Sequence, residues 1–278
     1  MGDLKVGLQL YSVRDEMNKD MGGTLKKVKD MGYDYVEFAG YFGKTAEEVL
    51  SLLEKHNLKC ISVHQAYEVF LEDEEESVPF LKTIGAKSSA MPWLDIDKHA
   101  GSKNFEQTKK DFIKVGRILK GAGIMHLYHN HDFEFNTYEG KYLLDWLFES
   151  VPEDILQTQI DTCWVCYAGL DPAEYIKKYA GRAPVVHLKD FVCDEKGSGP
   201  VYDLIDEEGK VEDRESSLSD NGFDYRPLGQ GIQDFPSIIE ASRQAGVSYL
   251  IVEQDESTTC SPLEAAKISR EYLRSLGL

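Results

Sequence analysis

The sequence predicts a single (β/α)8 TIM barrel formed by residues 1–278. Two observations carry the prediction. Short β-like runs alternate with longer amphipathic stretches eight times, and repeated βα units imply a parallel sheet. Ionisable side chains stand at the ends of those runs, which is where a barrel of this length builds its active site. An open dinucleotide-binding sheet would need a GxGxxG turn after a strand, and no run here is followed by one.

Each element follows from local signals. Val6 to Leu10 reads as the first strand, and Leu25 to Met31 as a helix closed by Gly32. Tyr35 to Phe38 is the second strand, after which Thr45 and Glu48 form a capping box that opens a helix to about His56. Cys60 to His64 is the third strand, Glu75 to Ile84 a helix ended by Gly85, and Ser88 to Trp93 the fourth strand. In the helix from Phe105 to Ala122, Phe112, Val115, Ile118 and Leu119 recur at helical spacing. Met125 to Asn130 is the fifth strand, Tyr142 to Glu149 a helix, and Thr158 to Asp161 the sixth strand. Asp171 caps a helix that Pro172 opens and that runs to Tyr179, and Val185 to Lys189 is the seventh strand. A helix from Phe235 to Ala245 stops at Gly246, and Tyr249 to Glu253 is the eighth strand. Ser261 and Glu264 form a second capping box for the last helix, which reaches Leu276.

Composition narrows the function. With 31 basic against 49 acidic residues the net charge is −18, which opposes binding to nucleic acid or to an anionic membrane. No run approaches the roughly 18 apolar residues of a membrane span, and MGDLKVGLQL lacks the basic and apolar regions of a signal peptide. Five scattered cysteines do not form a disulfide framework. Cys163 and Cys166 make a lone CxxC, read as small buried thiols, and the expected location is the cytoplasm.

The strand ends carry Gln9, Tyr11, Glu37, His64, Trp93, His129, His131, Asp161, His187, Lys189 and Glu253. Borderline divalent metals bind imidazole and carboxylate groups converging from separate elements, and Asp161, His187 and Glu253 end three successive strands. The fifth strand closes on HLYHNHDFEF, residues 126–135, rich in the same groups. Alternation sends Leu127, His129 and His131 to one face and His126, Tyr128 and Asn130 to the other. An inward His129 would complete a ring of ligands from strands five to eight.

In order along nearly the whole chain, GLQLYSVRDEM, GYDYVEFAG, ISVH, YHNHDFEF, IDTCWV, VVHLKD, PLGQGIQDF and LIVEQD resemble the xylose isomerase-like barrel superfamily of sugar and sugar-phosphate isomerases and epimerases. The resemblance implies one divalent ion, manganese first and zinc or cobalt as alternatives. It is held by Glu, Asp, His and Glu from strands five to eight. Asp161, His187 and Glu253 match the last three positions. The first departs: His129 stands in register where many members have Glu, and Glu134 reaching back is the alternative.

The resemblance also implies an isomerase or epimerase. It would remove a proton next to a carbonyl and pass through an enediolate whose charge the metal offsets. Glu253 is the expected base, His131 a second proton carrier with Glu134 in reserve, and Lys189 a group that neutralises the enediolate. A one-base lyase or hydrolase acting on a 3-keto-glycoside, or a non-catalytic sugar-binding barrel, is the alternative. Gln9, Glu37, His64, Trp93 and Glu134 are expected at the sugar, with Arg226 brought there if the long loop after the seventh strand is a lid. Residues 201–215 of that loop read as a hairpin turning at Glu208–Gly209, and the loop could equally form a subunit contact in a homo-oligomer. The expected partner is a small sugar or keto-sugar.

Overall fold

A computed structural model of the chain describes residues 3–197 and 222–278. Eight parallel strands close into a barrel: β1 (Lys5–Gln9), β2 (Tyr35–Phe38), β3 (Lys59–His64), β4 (Ser88–Met91), β5 (Met125–His129), β6 (Gln157–Asp161), β7 (Val185–Leu188) and β8 (Tyr249–Val252). Each strand pairs with its neighbours in sequence, and β8 closes the ring on β1 with Lys5 opposite Tyr249. The eight expected strands are all present, most of them shifted by one residue or shortened where the ladder ends.

Helices follow the strands as their caps dictate. Thr45 and Glu48 make both halves of the capping box at Ala46–Lys55, and Asp171 accepts the Ala173 and Glu174 N–H groups at Pro172–Lys178. The first long helix begins at Met21, earlier than the apolar spacing indicates, because Asp20 caps it by accepting from Gly23 N–H. Gly32, Gly85 and Gly246 end their helices in the left-handed conformation that glycine adopts at no steric cost. The expected hairpin at residues 201–215 lies outside the described residues. The ends of that loop meet as a small antiparallel ribbon, Asp190–Val192 against Asp224–Arg226. Among the described residues, no helix is long and apolar enough to cross a membrane.

Two apolar layers hold the barrel. Ile61, Ala90, Leu127, Val185 and Ile251 fill its interior, while the larger core lies between strands and helices. The lone CxxC belongs to that core, since both thiols are buried and free. His126 faces outward and stacks on Phe112 with ring centroids 5.2 Å apart, as alternation requires.

Burial holds His126 and His99 as neutral imidazoles, with pKa values pushed down to about 3 and about 4. Both titrate near 6.5 when the chain unfolds, so the unfolded state binds more protons below that pH. Stability should therefore fall as pH drops from 6.5, by about 1.4 kcal/mol per pH unit for each group at its steepest. His126→Phe, which keeps the stacked ring, should flatten the acid limb of the urea-unfolding midpoint against pH. An unchanged limb would count against the assignment.

Candidate active site

The inward residues at the C-terminal ends of the strands form a polar layer above the apolar one. Register places them level: Gln9 lies opposite Glu37, His129 opposite Gln159, and Asp161 opposite His187. Ligand atoms of His129, Asp161, His187 and Glu253 lie within 4.8 Å of one another, and all four residues are buried. A second triplet, His64 with His129 and His187, lies within the same limit.

Each imidazole has one nitrogen engaged beneath this ring. His129 Nδ1 is 3.1 Å from Gln159 Oε1, and its Nε2 lies 3.6 Å from Asp161 Oδ2. His187 Nε2 is 2.7 Å from Glu37 Oε1, and its Nδ1 is 2.8 Å from Glu253 Oε2. Glu37 is the hub of the lower layer. It accepts from Gln9 Nε2 at 2.7 Å and Gln159 Nε2 at 2.6 Å, with His64 Nε2 at 3.0 Å. Gln159 Oε1 also takes His64 Nε2 at 2.7 Å. Carboxylate and amide partners behind imidazole ligands fix which nitrogen carries the proton and which presents a lone pair.

The charges follow from burial and neighbours. Burial alone would raise the Glu37 carboxyl, but His64 and His187 hold it well below the usual range. Burial and the neighbouring His187 and His64 hold His129 well below the ordinary imidazole range, which keeps it neutral. Burial works against a charged His187 too, yet the Glu37 and Glu253 carboxylates lift it to about 10. Burial pushes Asp161 up to about 6, with Lys189 pulling the other way.

A divalent ion fits these residues. Two imidazoles and two carboxylates are the donor set of borderline metals such as zinc, manganese and cobalt. Asp161 Oδ2 and His187 Nε2 are buried without an aligned hydrogen-bond partner; the charged groups beside them are the Lys189 ammonium, 3.2 Å from Asp161 Oδ2, and the Glu37 carboxylate, 2.7 Å from His187 Nε2. Buried carboxylates gathered among imidazoles need positive charge to offset them, which a divalent ion would supply.

Several expected residues stand elsewhere. Gln9 and Glu37 are fully buried and lie beneath the ring. Glu134 is turned away from it: the carboxylate accepts from Tyr128 O–H at 2.6 Å and from the His131 N–H at 2.8 Å. Tyr128 is on the outward face of β5, so Glu134 follows it, and burial pushes its pKa up to about 8. Arg226 is folded back on its own ribbon, with Asp224 and the Tyr225 carbonyl as partners. Trp93 and His131 do meet, edge to face at 4.9 Å, with Phe133 stacked on His131 at 5.7 Å. Trp164 is fully buried against Phe223, in the core.

Three participants escape a reading by strand ends. Gln159 shares the inward face with Asp161, and alternation alone marks it. Asp255 comes from the loop after β8 and Tyr225 from the short ribbon at Asp224–Arg226, and they meet at 2.8 Å between Tyr225 O–H and Asp255 Oδ2. The PLGQGIQDF stretch has a positional role. Its loop wraps the buried Asp190 carboxylate, which accepts N–H groups from Phe191, Gly229, Gly231 and Gln233. A Cβ at Gly231 would sit 2.2 Å from Asp190 Oδ1, so only glycine allows the approach. Gln233 Nε2 in turn donates to the Lys189 carbonyl at 2.6 Å, which pins the end of β7.

Fold and site together define a (β/α)8 barrel with an imidazole–carboxylate cluster across four adjacent strand ends. The chain belongs to the xylose isomerase-like TIM barrels, whose family model matches residues 25–276. It is similar to an inosose dehydratase of Mesomycoplasma hyopneumoniae (strain 7448), 24% identical over 300 residues that cover 99% of this chain and 96% of the relative. Among solved structures it is similar to a sugar phosphate isomerase/epimerase from Parabacteroides distasonis ATCC 8503. That match has a TM-score of 0.77 and 23% identity, and covers 98% of each chain. It is also similar to an IOLI protein with a zinc atom bound, at a TM-score of 0.70 and 16% identity, again over 98% of each.

Proposed function

We propose that this protein is a divalent-metal-dependent lyase that eliminates water or an alcohol from a keto-sugar or keto-cyclitol. The observation that carries the reading is the asymmetry of the ring. β8 supplies a carboxylate, Glu253, whereas β5 supplies the imidazole of His129 and its nearby Glu134 is turned outward. Epimerisation in which two carboxylates act from opposite faces of the substrate lacks its second carboxylate on β5. Elimination needs one base. Glu253 takes the proton next to the carbonyl, the electron pair moves into the new C=C bond, and the β-oxygen leaves. Glu253 then returns the proton to that oxygen, releasing water or alcohol and an enone; where the α-carbon carries a hydroxyl, as in these sugars, that enone is an enol and ketonises to a 1,2-dicarbonyl. A bound metal would polarise the carbonyl and lower the acidity barrier for that C–H.

His129, Asp161, His187 and Glu253 would hold the ion. The Trp93–His131 pair stands beside His129, whose ring centroid is 5.1 Å from that of His131, and would offer an aromatic surface to the substrate. The name of the curated relative, a dehydratase of an inosose, supports the elimination chemistry.

The test is incubation of the manganese-loaded protein with an inosose and with a 3-keto-glucoside in D2O. The expected result is loss of water or alcohol with growth of an unsaturated or dicarbonyl product. Deuterated epimer or aldose–ketose isomer without elimination would overturn the lyase reading in favour of an isomerase. No turnover and no proton exchange would favour a sugar-binding barrel.

A further inference from the structure

Lys189 has surroundings that the proposed chemistry leaves unexplained. Its side chain is almost wholly buried, yet it reaches the middle of the acid cluster. The ammonium lies 3.2 Å from Asp161 Oδ2 and 3.1 Å from Glu253 Oε2. Both residues belong to the proposed metal ring. On the far side it is 3.0 Å from Asp255 Oδ2, the oxygen that also accepts from Tyr225 O–H. The rings of Trp164 and Tyr225 flank it at 5.3 Å and 5.8 Å.

We propose that Lys189 is a resident competitor for the metal: its ammonium and the ion share the Asp161 and Glu253 carboxylates, and Asp255 is the seat toward which it withdraws. The inference rests on the metal reading above. Two cations drawing on the same two buried carboxylates repel each other strongly, because little water screens them. Each therefore weakens the hold of the other. Without metal, the lysine keeps three clustered acids from repelling one another. With metal, Asp255 and Tyr225 retain the displaced ammonium through a loop acid that is no part of the ring. The backbone has no need to move, since Gln233 pins the Lys189 carbonyl. Only the side chain shifts.

The design makes an unusual prediction, that removing a native, buried residue improves ligand binding. Lys189→Met, with Lys189→Gln as the milder variant, should bind Mn2+ and Zn2+ about tenfold or more tightly in chelator-competition titrations. Asp255→Asn takes away the second seat. It should weaken metal binding in the wild-type background and change nothing in the Lys189→Met background. The thermal midpoint of Lys189→Met should be lower without metal, and should rise further than that of wild type when metal is added.

Equal or weaker metal binding by both Lys189 variants, with their fold intact by circular dichroism, would overturn the inference and leave the metal site standing. So would an Asp255→Asn effect of the same size in both backgrounds. Failure of wild type and of both Lys189 variants to bind either metal would overturn the metal reading and this inference together.

Discussion

His129→Ala should strip the protein of its divalent metal, and Glu134→Gln should not. His129 offers Nε2 to the ring from β5, with Nδ1 held by Gln159. Removing one of four ligands at a closed site should cost more than losing an outer-shell partner, which typically costs about 10- to 100-fold in affinity. Glu134 faces Tyr128 and the His131 N–H, so its amide variant alters a buried contact without touching the ring. The check is metal content by mass spectrometry after loading with manganese or zinc and exhaustive dialysis. Wild type and Glu134→Gln should retain about one ion per chain, and His129→Ala far less. Loss with Glu134→Gln alone would move the β5 ligand to Glu134 and bring back a pair of carboxylates across the substrate.

Glu253→Gln should lower turnover of the keto-sugar by about 10²- to 10⁴-fold, the usual contribution of a positioned general base. The amide keeps the shape and an oxygen toward His187 Nδ1, now 2.8 Å from the carboxylate, but it cannot accept a proton. Solvent deuterium exchange into the substrate should fall in parallel. A variant that binds metal and still exchanges at the wild-type rate would transfer the base to another group, with His131 next in line.

The fold was legible because its signals are local. Period-2 runs, capping boxes and closing glycines act within a few residues, and Thr45 with Glu48 or Gly246 can be read without knowing the tertiary structure. The ring was legible for a related reason. Alternation fixed the inward face of β5, and the order of the strands made neighbours of Asp161, His187 and Glu253. What lay beyond reach depends on turns and loops. The sequence puts Glu134 five residues past His129, and only the short helical turn at Phe133–Phe135 decides that it bonds to Tyr128. Asp255, in a loop, and Tyr225, on the short ribbon, are 30 positions apart, and no periodicity relates them. Gln9 and Glu37 were placed at the right ends of the right strands, but the depth of the layer, set by packing, puts them below the ring.

The seam between β1 and β8 reaches into the biogenesis of the chain. Lys5 pairs with Tyr249, so the ring closes across nearly the entire sequence. Contacts this distant are the slowest to form and cannot begin until the later partner exists. During translation, β1 and β7 therefore stand as unpaired edges until residues 249–252 leave the ribosome. Once β7 is made and until β8 follows it, the sheet is open and both edge strands lack a ladder partner on one side. A chain cut between Leu188 and Tyr249 would keep β1 and β7 as open edges for good.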